Sequence, residues 1–176
     1  MTYVDQADLP EVHRGLLRYP SNLAGVLVHS PGLTHALSAL GAHLIKHSRL
    51  DGRIREIACL TVGWEARAPY EWAHHLKTGR AVGVTEADIA AIKGNGTARD
   101  ERTAAVIDAA REASTGPGVA AATVDRLAGI FEPDELVDLV FTVCHYCGVT
   151  RLLTSFDIDL EDDYQQYLAA DPLPVD

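Results

Sequence analysis

The chain has 176 residues, 47% hydrophobic and 23% charged, and its 15 basic against 25 acidic side chains give a formal charge of −10. That length holds one domain with a sizeable core rather than two, and the composition is that of a soluble globular protein. With no cluster of Lys and Arg in this acidic background, a nucleic-acid partner is not expected.

The three cysteines, Cys59, Cys144 and Cys147, are an odd number, and the opening MTYVDQADLPEVHRG has no apolar run like that of a signal peptide. Neither feature fits an extracellular disulfide framework. The most apolar stretch, 136–149, is short for a bilayer and carries Asp138 and His145. The expectation is a cytoplasmic chain without membrane contact.

In chain order, nearly every segment reads as helix. Ser30-Pro31 has the form of an N-cap followed by proline at the first helical position, and Leu33, Leu37, Leu40 and Leu44 then recur at helical spacing. Asp51 can cap the next helix, where Ile54, Ala58 and Val62 mark a buried stripe and Arg53 and Arg55 lie off it. Pro69 opens a helix that Gly83 is suited to end. Thr85-Glu-Ala-Asp88 resembles a capping box, with Asp in place of the usual Glu. Helical signals continue over about 98–114 and 121–128, and Pro133 begins a long last helix through LVDLVFTVCHYCGVTRLLTSF. No segment alternates as a strand would. The prediction is an all-α bundle of about six to eight helices in a single domain over 1–176, with its core at 22–155 and an acidic tail at 156–176.

Chemistry concentrates in Ala68-Pro-Tyr-Glu-Trp-Ala-His-His75. Glu71 and His75 are four apart and share a helix face, Trp72 lies three before His75, and His74 points a quarter turn away. A carboxylate beside an imidazole raises its proton affinity and fixes its orientation, which suits proton transfer. The same pair on an ordinary helix surface is worth only a few tenths of a kcal/mol.

The run LDGRIREIACLTVGWEARAPYEWAHHLKTGRAVGVTEADIAAI, 50–92, resembles the carboxymuconolactone decarboxylase family, which includes the alkylhydroperoxidase D-like proteins. The similar features are the arginine and glutamate of RIRE, the YEW-x-x-H run, the following Ala-x-Gly and the TEADIAAI helix, with weaker similarity in HSPGL at 29–33 and at Tyr146. The resemblance implies an all-helical fold around a helical hairpin, assembled as a homo-trimer or homo-hexamer. In the family's redox branch a glutamate precedes a Cys-x-x-Cys pair and a histidine. Those positions fall here on Glu56, Ala68, Glu71 and His75, so the carboxylate and imidazole are kept and both sulfurs are absent.

The resemblance therefore implies the cysteine-free branch: a cofactor-free acid–base lyase, decarboxylase or isomerase in type, acting on a small carboxylated or lactone-like molecule. His75 would move the proton, Glu56 would orient it and Glu71 would be a second acid or base. Tyr70 and Trp72 would line the pocket, and Arg53, Arg55 and Arg80 are candidates to steady a developing oxyanion, each having a surface ion pair as its plainer reading. Two alternatives stand beside this one. The first is a thiol antioxidant of the alkylhydroperoxidase or peroxiredoxin type using Cys144 and Cys147, or Cys59, although that Cys-x-x-Cys lies inside a predicted helix rather than at its start. The second is a non-catalytic oligomeric binding protein. No metal site is expected: His145 with the two cysteines lacks a second ligand pair, His43 and His47 lack a third ligand, and the acidic run 157–163 lacks the glycine of a calcium loop.

Overall fold

The computed structural model describes residues 1–174. Among them are nine α-helices and no strand: α1 Asn22–Leu27, α2 Pro31–Ala42, α3 Gly52–Glu65, α4 Pro69–Ala81, α5 Glu86–Ile92, α6 Glu101–Thr115, α7 Ala121–Ala128, α8 Pro133–Ser155 and α9 Gln165–Ala170. Short 3-10 turns cover Gln6–Asp8, Glu11–Leu17 and Asp162–Tyr164, and a π turn, His43–His47, ends α2. The all-α expectation holds, with more helices than the six to eight anticipated. The additional α1 and α9 have six residues each, too few to display an apolar repeat in sequence.

Helix boundaries follow local chemistry. Asp51 accepts a hydrogen bond from the Ile54 amide at 3.1 Å, the Thr85–Asp88 capping box forms, and proline occupies the first turn of α2, α4 and α8. Ser30 sits at the cap position of α2, yet its hydroxyl makes no capping bond. Helix α6 starts at Glu101, after an Asp100 cap, rather than near 98.

Helix α3 is the centre of the bundle. Every residue from Ile54 to Gly63 is buried, and α4, α6 and α8 pack around it. A helix buried on all sides must be apolar or paired throughout, so Arg55 is not on a solvent face as the stripe suggested: it is buried against Glu56. Ile57, Leu60, Trp72 and Leu76 are fully buried between α3 and α4 and their neighbours, each worth about 1.5–3 kcal/mol in removed apolar surface. The two helices approach closely where a Cβ on Gly63 would meet the Trp72 amide nitrogen at 3.1 Å. Gly83, at φ 94°, turns the chain out of α4.

The 23 residues of α8 are long and apolar enough, by length and composition, to cross a membrane, a longer helix than its apolar stretch announces. Here α8 lies along α3, α6 and α7. The acidic tail packs back on the bundle. The Asp171 carbonyl accepts the Trp72 indole N–H at 2.7 Å, and its carboxylate takes Arg80 and Lys93, each at 2.5 Å. The last two positions of the predicted tail, 175 and 176, lie outside the described residues.

Candidate active site

Packing of α3 on α4 sets Glu56 against His75. Imidazole Nδ1 is 2.6 Å from Glu56 Oε2, while Nε2 is 2.7 Å from Glu71 Oε1. Arg55 secures the far side of Glu56, donating from Nε to Oε1 at 3.2 Å and from Nη1 to the Leu44 carbonyl at 3.2 Å. Glu56 and Glu71 are 2% and 3% exposed, so these ions interact with little screening by water. The Nε2–Oε1 approach is close but poorly aligned for a hydrogen bond, and Glu71 Oε1 is a buried acceptor with no other partner. The proximity is therefore an ion pair, and Glu71 retains hydrogen-bonding capacity.

The protonation pattern follows from these neighbours. Burial disfavours a charged His75, but the carboxylates of Glu71 and Glu56 on either side of the ring outweigh that penalty and lift it well above the ordinary imidazole value. Burial pushes the Glu56 carboxyl up, and His75 and Arg55 more than reverse this, holding it below the ordinary range. The adjacent His74 behaves oppositely: burial lowers it despite the carboxylate of Glu161. The Cys59 thiol, fully buried beside His75, is pushed up to about 11 by burial. Burial likewise raises Tyr146, whose ring meets His75 edge-on with centroids 4.9 Å apart.

The cluster opens on a cavity of about 260 Å³ lined by Glu71, His75, Tyr70, His74, His145 and Tyr146 with Leu23, Leu27 and Leu37 among its apolar walls. A second, almost wholly apolar cleft of about 210 Å³ adjoins it, sharing Leu23, Leu27, Leu37, His145 and Val149 and continuing to Leu33 and Leu152. A larger cavity of about 500 Å³ at Ser114, Cys147 and Arg151 holds none of the acid–base cluster.

The residues singled out in sequence therefore separate. Glu56, Glu71, His75 and Tyr70 come together, the Tyr70 hydroxyl donating to Glu161 at 3.0 Å. Trp72 is 0% exposed, tilted against Trp64 and bonded to the tail, and it does not line the cavity. Arg53 is paired bidentately with Asp88, Arg55 with Glu56, and Arg80 with Asp171 and Glu86, and none of the three lines the cavity. Cys144 is exposed and Cys147 buried, both are free thiols, and neither lines it.

Cys59, named from sequence only as a possible thiol of the redox alternative, lies one turn past Glu56 on α3. Three further neighbours of the cluster were not read from sequence as site residues. His74 is stacked between Tyr70 and Tyr164, ring centroids 4.3 and 3.7 Å away, and bonded to Glu161 at 2.7 Å. His145 reaches the cavity from α8. Glu161 arrives from the far end of the chain, where it also accepts the Asn22 amide at 2.6 Å, and no local signal announces it.

The all-helical bundle is alkylhydroperoxidase D-like in fold. Residues 31–115 match the model of the carboxymuconolactone decarboxylase family. Solved structures of similar fold include the debrominase Bmp8 as a cysteine-to-alanine variant in complex with 2,3,4-tribromopyrrole, at 19% identity and TM-score 0.78, covering 96% of this chain and 95% of that one. Bmp8 without ligand matches at 18% identity and TM-score 0.78, with the same coverage. An uncharacterized peroxidase-related protein from Ralstonia eutropha JMP134, described as an alkylhydroperoxidase AhpD core, matches at 17% identity and TM-score 0.77, covering 96% of this chain and 94% of that one. No curated protein matches the sequence at a significant level.

Proposed function

We propose that this chain is a cofactor-free acid–base enzyme of the lyase or isomerase type, acting on a small organic molecule in the cavity at Glu71. The observation that carries this reading is His75 held between two buried carboxylates, with Glu71 Oε1 left without a hydrogen-bond partner. Glu71 removes a proton from carbon beside a carbonyl, and the electron pair moves onto the carbonyl oxygen. The protonated carboxyl then returns that proton to the same or the conjugated carbon, restoring the carbonyl. His75 donates toward the oxygen as charge develops there, while Arg55 and Glu56 keep the ring oriented and charged. The small ring held by the Bmp8 variant supports a small-molecule substrate. A homo-trimer or homo-hexamer is proposed as the working assembly, consistent with exposed Val137 and Phe141 on α8, and light scattering on the purified chain tests it.

The test is solvent-deuterium incorporation, followed by NMR, into a panel of cyclic enones and lactones. Catalysed exchange that falls about 100-fold in Glu71→Gln, with the fold intact, is expected. Absence of exchange across the panel, or equal exchange by the variant, overturns the reading and leaves the non-catalytic binding protein.

Cys59 favours a second reading, a thiol peroxidase. Its sulfur would attack a hydroperoxide to form an S–O bond as O–O breaks, His75 would protonate the leaving alcohol, and an external dithiol would reduce the sulfenic acid. The burial that holds this thiol protonated argues for the acid–base reading first. Hydroperoxide turnover with dithiothreitol that survives Cys144→Ser/Cys147→Ser but vanishes in Cys59→Ser would reverse that order.

A further inference from the structure

The cavity at Glu71 is lined by charges that already cancel. Arg55 and His75 stand against Glu56 and Glu71, and each of these ions has its partner within the cluster. The remaining polar groups at the wall are Ser21, Tyr70, Tyr146 and the imidazoles of His74 and His145. Behind them Glu161 is negative and engaged with His74 and Tyr70, and Lys77 is held over the Tyr164 ring. Arg53 and Arg80 are bound to carboxylates away from this wall. A carboxylate or phosphate entering here would meet Glu71 and lose its water without gaining a free cation. The charged side chain that lines the wall without a cation free beside it is an acceptor, the Glu71 carboxylate. Beyond it the surface turns apolar, through Leu23, Leu27 and Leu37 to Leu33, Val149 and Leu152.

We propose that this cavity binds small neutral rings that carry one O–H or N–H donor and an apolar substituent, and that it discriminates against carboxylates. The donor is received by the Glu71 carboxylate, and the substituent lies in the apolar cleft toward Leu33 and Leu152. The ring occupies the space between Leu37 and the His75–Tyr146 corner. This narrows the carboxylated or lactone-like substrate drawn from the family resemblance to its neutral members, and it rests on the acid–base reading only in sharing the same cavity. Proton removal beside a carbonyl then begins from an enolisable neutral ring, which the same donor–acceptor contact orients.

The experiment is isothermal titration calorimetry of the full chain at neutral pH with phenol, 4-propylphenol and 4-propylbenzoate, requiring no turnover. The expected order places 4-propylphenol about tenfold or more tighter than 4-propylbenzoate and tighter than phenol. Glu71→Gln, whose amide offers a donor to an anion, narrows the phenol-to-benzoate ratio. Leu152→Trp, filling the cleft from a residue that does not line the cavity at Glu71, brings 4-propylphenol down to the level of phenol. Benzoate binding as tight as the phenol, no detectable heat from either phenol, or a ratio indifferent to Glu71→Gln overturns the proposal. Binding in the expected order without deuterium exchange sinks the acid–base reading alone, whereas exchange confined to carboxylated substrates sinks this proposal alone.

Discussion

Two buried charge clusters begin on the same turn of α3, two residues apart, and they are finished differently. Arg53 reaches Asp88, whose carboxylate also accepts the Thr85 amide at 2.9 Å and the Thr85 hydroxyl at 2.8 Å while Arg53 donates to Thr103 at 3.3 Å. Arg55 reaches Glu56, which holds His75, which approaches Glu71, and there the chain of partners ends with an unsatisfied oxygen at a cavity. The first cluster ties α3, α5 and α6 together and leaves nothing over. The second has the same burial and kindred ions but keeps reactive capacity, and that difference separates a structural ion pair from a candidate site.

The comparison breaks most visibly at the structural end. Asp88→Ala strands Arg53 in the interior and removes the reciprocal half of the α5 capping box, so urea denaturation should show a loss of about 3–5 kcal/mol. Glu71→Gln should be milder for folding and larger for chemistry, cutting proton exchange about 100-fold, or about 2.7 kcal/mol at the barrier. Equal stability losses in the two variants would erase the distinction. Gly63→Ala pushes a methyl against the Trp72 backbone and should cost about 1–3 kcal/mol, while disturbing the α3–α4 approach on which the Glu56–His75 contact depends. A thermal melt of that variant, read with its exchange rate, checks both effects.

The pH dependence sharpens the contrast further. Glu56 is held low, so its stabilising contribution is complete above the ordinary carboxylate range and lost as pH falls through the lowered value. His75 is held high, so its contribution is complete below the ordinary imidazole value of ~6.5 and lost as pH rises through the raised one. Melting midpoints against pH should therefore decline on the alkaline side for the wild type, and His75→Gln should flatten that limb. Smallest of all, Cys144→Ser, at an exposed thiol outside both clusters, should change stability by less than about 0.5 kcal/mol, and an effect beyond that would contradict its placement.

How much of this could be read from the chain depends on how local each cause is. Asp51, Pro69, Gly83 and the Thr85–Asp88 box act within one helical turn, and each marked its boundary correctly. Glu71 with His75 was visible for the same reason, being four residues apart on one helix. Glu56 and His75 lie on different helices, so only the family resemblance joined them. Arg55 was misplaced because a periodicity reading assigns a charge to solvent, whereas burial of α3 on every side makes the charge pair inward. Trp72 looked like a pocket wall by spacing, but the tail returns to take its indole N–H and makes it core. The arrival of Glu161 at His74 and Tyr70 depends on that same return of the chain, which no local pattern encodes.

The central claim is that His75 is held as a proton-bearing ring between Glu56 and Glu71. It is tested most directly by NMR of the chain carrying 15N-labelled histidine, following the ring nitrogens of His74 and His75 through a pH titration. The account predicts that His75 keeps both ring protons through neutral pH and loses one only well above the ordinary imidazole range, while His74 is already neutral. A His75 ring that is neutral at pH 7, or that titrates with His74, would contradict it.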